Sequence, residues 1–253
     1  MFYDSFTTTP ELLTKVAGKL RGLAQAGDPL TFSPLTRPVT VTWRADFDAQ
    51  LRGGSSSGSA LEVLVVPLDA QPRSTRLMSE LATVLPNRIR EGGLVAASEA
   101  LPVSRLQDAV MVSVPIPRAI WNAPRDPQLL GARLDTNGQV SAWASLPGDG
   151  MGSILDPDAL REQLAGLLRL IGFLRVIETT QLAIAAGVDP TIMLSTGRVG
   201  QVPRQSASML STSDRPLRVP PDELVTLAAL DAGALEVGRA LSRALLEAAS
   251  ARH

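Results

Sequence analysis

The sequence predicts an α+β fold in which a mainly antiparallel sheet packs against helices, and three stretches carry that prediction. Apolar and polar residues alternate from Val39 to Asp48, Asn137-Gly138 lies between two further alternating runs, and Asp156 to Gly187 is apolar over most of a helical circumference. Alternation marks half-solvated strands, and a helix greasy on more than one stripe must be covered by protein. We read residues 1–253 as a single unit, with residue 150 as the alternative boundary between a sheet-rich part (1–150) and a helical part (151–253).

At the amino terminus, Thr9, Pro10 and Glu11 open a short helix, because Leu12, Leu13, Val16, Leu20 and Leu23 recur at helical spacing and Gly27 stops it. Val39, Val41, Trp43, Ala45 and Phe47 then form the apolar side of a predicted strand, with Trp43 in the core. Gly53 to Ser59, GGSSSGS, can bury nothing and reads as a long hairpin loop, since Leu61 to Leu68, LEVLVVPL, is a more deeply buried strand. A helical pattern over 73–91 puts Leu77, Leu81 and Val84 on one side, is interrupted at Pro86, and ends at Gly92 and Gly93. Val110, Val112, Val114 and Ile116 share one face of another strand, which Pro115 and Pro117 place at an edge. Trp121 to Pro127 reads as a rigid surface turn. A two-residue turn at Asn137-Gly138 would set Leu134 opposite Ser141 and Ala132 opposite Trp143, making Trp143 a core residue on the face of Ala132 and Leu134.

Asp156 is a helix cap and Pro157 fits the first helical position, where a missing N–H costs nothing. Leu160, Leu164, Leu167, Leu170, Ile171, Leu174, Ile177 and Leu182 follow as one apolar arc, which predicts a long central helix over 156–187 capped by Gly187. At 1.5 Å per residue it would run roughly 48 Å, which calls for a bend near Gly172 or for a subunit contact. Residues 188–219 show no periodicity beyond a short strand at Ile192 to Leu194, and Pro220, Pro221 and Asp222 start a last helical region reaching about Ala249.

Composition removes several chemistries. There is no cysteine, so no disulfide framework, thiolate metal site or cysteine nucleophile exists, and the one histidine is the last residue, His253. Net charge is −1, and of 24 basic residues only Lys15 and Lys19 are lysine, so no broad field draws nucleic acid or membrane. The amino terminus lacks a basic stretch followed by an apolar one, and no apolar run reaches membrane-spanning length, so a cytoplasmic protein without a membrane partner is expected.

Two stretches are candidate binding sites. Gly148, Gly150, Gly152 and Ser153 lie between a predicted strand and a predicted helix start, where backbone N–H groups and the helix dipole can cradle phosphate. The spacing GxGxGS is neither the dinucleotide nor the P-loop pattern, and Asp149, Asp156 and Asp158 oppose an anion. Arg198, Arg204, Arg215 and Arg218 face only Asp189 and Asp214 within 188–219, so the loop can grip an acidic partner. Serines lack a neighbouring base and the scattered carboxylates form no motif, so a non-catalytic interaction or assembly protein, self-associating through apolar helices and the arginine-bearing loop, is expected with no cofactor. A phosphate-binding module for nucleotide or nucleic acid is the competing expectation.

Overall fold

The computed structural model describes residues 29–48, 59–114, 126–149, 152–200 and 215–252. The predicted amino-terminal helix, most of the GGSSSGS loop and the Trp121 turn lie outside these residues. In chain order the elements are β1 (Phe32–Pro34), α1 (Arg44–Asp48), β2 (Ala60–Pro67), α2 (Thr75–Glu91), β3 (Val103–Arg105), β4 (Ala109–Ser113), β5 (Leu129–Asp135), β6 (Val140–Ser145), β7 (Gly148–Asp149), β8 (Gly152–Leu155), α3 (Pro157–Phe173), β9 (Gln181–Asp189), β10 (Leu194–Thr196), β11 (Leu217–Val219), β12 (Glu223–Thr226), a 3-10 turn (Leu227–Leu230) and α4 (Ala234–Ser250). The fold is α+β, as the sequence predicts.

Nine strands form one antiparallel sheet in the order β1-β12-β9-β2-β6-β5-β4-β3, with β11 beside β12 along the same side of β9. Strands from before and after residue 150 therefore share one sheet, and β9 pairs along its whole length with β2. A smaller sheet, β10-β8-β7, leads into α3. Helices α2, α3 and α4 cover one face over a core that includes Leu61, Val63, Ala142, Leu164, Ile171, Ile184 and Leu245. The other face is closed by Trp43 and Phe47, packed against Leu64, Ala185, Met111 and Trp143.

The predicted 156–187 helix is corrected by this arrangement. Asp156 caps as expected, accepting from the N–H groups of Asp158 and Ala159, but α3 stops at Phe173 and Arg175 takes the left-handed conformation at φ 53°. The residues beyond are a central strand: Leu182, Ile184, Ala186 and Val188 face the helices, while Ala185 packs with Trp43 on the far side. A strand buried on both faces is a continuous apolar run, and helical spacing picks residues out of it by coincidence. The partner that α3 needs is α4, held close because Gly238 has no side chain. A Cβ there would lie 2.8 Å from the Arg161 carbonyl.

Other differences have local causes. Val39 to Trp43 pair in no strand, and Trp43, the residue before α1, and Phe47 within it both close the second face of the sheet, four residues apart as helical spacing allows. Helix α2 runs through Pro86 and buries Met78, Leu81, Ala82, Leu85 and Ile89, leaving Leu77 and Val84 exposed. Strand β4 is not an edge, because β3 pairs beyond it. Gly138, at φ 102°, closes a three-residue loop in which the Asp135 N–H donates to the Gln139 carbonyl, so Leu134 pairs with Val140 and Ala132 with Ala142. That one-residue slip moves Trp143 to the opposite face from Ala132 and Leu134, where it is still buried. Residues 223–226, predicted helical, form β12, and the 188–219 segment contributes β10 and β11.

Candidate functional site

The charged residues buried deepest lie where α1 closes the second face of the sheet. The Arg44 N–H donates to Glu62 Oε2 on β2 at 2.9 Å, and the Arg44 guanidinium donates to the carbonyl of Asp189 at the end of β9. Arg218 on β11 stacks 4.8 Å above the Trp43 ring and approaches Asp46 at 3.5 Å. Gly187 makes room for both partners, because a Cβ there would sit 2.9 Å from the Trp43 ring and 3.0 Å from Glu62 Oε1. Burial pushes the Glu62 carboxyl up to about 7, outweighing the Arg44 N–H bond and the positive charges of Arg44 and Arg218, with Asp189 reinforcing the rise.

A second set holds the rest of the segment 42–47. Arg133 lies 4.1 Å above the Phe47 ring and donates to Asp135 Oδ1, with its Nε at 2.8 Å. Burial raises the Asp135 carboxyl above the ordinary range, against the hydrogen bond and charge of Arg133. Gln139 pairs with the backbone of Thr42 in both directions: its Oε1 accepts from the Thr42 N–H at 2.9 Å and its Nε2 donates to the Thr42 carbonyl at 2.7 Å. These groups clamp residues 42–47 onto the sheet. Glu62 can exchange a proton near neutrality, but beneath Arg44 and Trp43 it faces protein rather than an open cleft.

The sequence-predicted sites are dispersed. Gly148 pairs with Ser153 across the β7–β8 hairpin, Gly150 lies outside the described residues, and Gly152 adopts φ 146° against Met193. The Ser153 and Ile154 N–H groups donate to the carbonyls of Met193 and Pro147, and Ser153 Oγ accepts from the Ser59 N–H at 3.2 Å. Asp156 also accepts from the Val199 N–H, so a carboxylate of the chain's own stands at the α3 start. Arg198 pairs with Asp158 there at 3.4 Å. Arg215 offers its carbonyl to Thr191 and Arg252, Arg218 lies over Trp43, and Arg204 is outside the described residues. Arg198 and Arg218 thus serve different parts of the molecule.

The helix layer separates residues that helical spacing puts on one side of α2, burying Leu81 and leaving Leu77 and Val84 in water. Leu77 and Val84, seven residues apart on α2, are 40% and 38% exposed, and Phe173 at the end of α3 is 39% exposed. Arg88, one turn beyond Val84, donates to the Leu174 carbonyl at 2.6 Å, which sets that flank of α2 against the end of α3. The signal was present in the spacing, since Leu77 and Val84 are flank positions of an arc centred on Leu85. Among the described residues no helix is long and apolar enough to cross a membrane, and no group of three or more His, Cys, Asp or Glu is placed to hold a metal. No family model, curated protein or solved structure matches this chain.

Proposed function

We propose that the chain is a non-catalytic interaction protein that assembles with a second copy of itself through the outer surface of its helix layer. Leu77, Val84 and Phe173 carry this reading: three large apolar side chains left in water beside the α2–α3 seam, where the other leucines among the described residues are mostly dry. Arg76 and Glu80 pair at 3.0 Å beside them, giving that flank both signs of charge, as a two-fold self-complementary contact needs. Sheet extension is the poorer route, because the terminal strands β1 and β3 have three residues each, too short to template a partner strand.

Light scattering over a concentration series tests this. The mass should rise above the 26.7 kDa of one chain, and Leu77→Lys combined with Val84→Lys should return it to that value. Thermal unfolding of the double variant should stay within about 0.5 kcal/mol of the parent for each exposed site. A monomer at every concentration, or an unchanged mass in the variant, overturns the proposal. Salt-dependent binding of nucleotide or DNA that is lost with Arg198→Glu plus Arg204→Glu would favour the phosphate-binding alternative.

A further inference from the structure

We infer that Asn137 is a self-modifying site: its side-chain amide is lost to attack by the Gly138 nitrogen and then by water, and the altered turn releases the segment 42–47 from the sheet. Asn137-Gly138 is the only Asn-Gly pair in the chain, and Asn137 is exposed at the tip of the turn between β5 and β6. Its Oδ1 accepts from the Gln139 N–H at 2.9 Å, which folds the carboxamide back along the Gly138 peptide and draws electron density from Cγ, the atom to be attacked. A following glycine hinders that attack least, because it carries no side chain. The same turn ends on Gln139, whose carboxamide accepts from the Thr42 N–H at 2.9 Å and donates to the Thr42 carbonyl at 2.7 Å.

The chemistry is a cyclisation followed by a hydrolysis. Opening of the turn frees the Gly138 N–H from the Asp135 carbonyl, where it is held at 3.1 Å, and hydroxide takes its proton. The nitrogen bonds to Asn137 Cγ, the Cγ–Nδ2 bond breaks, and the leaving nitrogen takes a proton from water and departs as ammonia. Water then opens the five-membered imide. Attack at the side-chain carbonyl leaves a carboxylate on the ordinary backbone, and the turn keeps its length and an acceptor for the Gln139 N–H. Attack at the backbone carbonyl leaves an isoaspartyl link, which puts one more carbon into the three-residue loop. Gln139 must then shift, its pair with Thr42 is lost, and Trp43 and Phe47 lose the anchor at the start of their segment. The site shares no residue with Leu77, Val84 or Phe173, so this inference and the assembly proposal stand or fall separately.

Ageing the full-length chain in mildly alkaline buffer at physiological temperature, with Asn137→Ser aged alongside, tests this. Tryptic mapping should find amide exchanged for carboxyl at position 137 at least tenfold faster than at Asn87 in α2, with the isoaspartyl link identified by electron-transfer fragmentation. In the isoaspartyl fraction, isolated by ion exchange, the Thr42 and Arg44 amides should exchange hydrogen at least tenfold faster than in the fresh chain. Aged Asn137→Ser and fresh Asn137→Asp, which keep the length of the turn, should retain the protection of the fresh parent. Conversion at position 137 no faster than at Asn87, or unchanged Thr42 and Arg44 protection in the isoaspartyl fraction, overturns the inference without reliance on any variant's folding.

Discussion

Glu62 shows how a single residue's setting is written into stability. Its carboxyl ordinarily titrates near 4.5 and is pushed up to about 7 in the folded chain, so between those values the folded state holds a proton that the unfolded state has released. Its contribution is therefore fully present below about 4.5, falls as pH rises through about 7, and is flat above that. At about 1.4 kcal/mol per pH unit the loss amounts to at most about 3.5 kcal/mol. Denaturant unfolding between pH 5 and 8 should show this decline in the parent chain and a much flatter profile in Glu62→Gln, which keeps an oxygen for the Arg44 N–H. Equal slopes in both would mean that the carboxyl is already charged across this range. Nothing in the spacing marks this group, because Glu62 is one acid within LEVLVVPL and only the arrival of Arg44 from 18 residues earlier closes it off.

At the scale of elements, the crossing of α3 and α4 decides the sign of a glycine substitution. In an open helix Gly→Ala stabilises by up to about 1 kcal/mol, because alanine loses less backbone entropy. Gly166 in α3 has free space and should follow that rule. Gly238 in α4 should not, since the added carbon would sit 2.8 Å from the Arg161 carbonyl and 3.2 Å from the Ala165 amide nitrogen. We expect Gly238→Ala to destabilise by roughly 1–3 kcal/mol, the cost of overpacking, and thermal unfolding of the two variants gives opposite shifts. A stabilised Gly238→Ala would show that the two helices do not approach this closely. The sequence marked both helices, and Asp156-Pro157 fixed where α3 starts. It could not show where α3 ends, because the following strand is as apolar as the helix.

For the whole molecule, strand order sets where stability concentrates. β2 lies between β9 and β6, and Leu61, Val63, Leu64 and Val65 are fully buried on alternate faces. β1 and β3 are short outer strands. Native-state hydrogen exchange should find the slowest amides in β2 and β9 and much faster ones in β1 and β3. Comparable rates across the sheet would argue that its centre is not where the order places it. The candidate surface also belongs to this scale: Leu77 and Val84 are left in water because α2 turns Leu85 and Ile89 toward the sheet, a rotation fixed by packing rather than by spacing alone.

The sequence by itself determined the α+β class, the β2 strand, the end of α2 before Gly92, the cap of α3 and the hairpin around Gly138, because capping, turn chemistry and two-sided burial are local demands on particular residues. Only the tertiary structure decided that residues 181–189 are a central strand, that a short helix follows Trp43 and carries Phe47, and that Trp143 faces away from Leu134. Each of those depends on which distant segment covers a residue, and apolar side chains satisfy a helix, a strand or either face of a sheet equally well until that partner is in place.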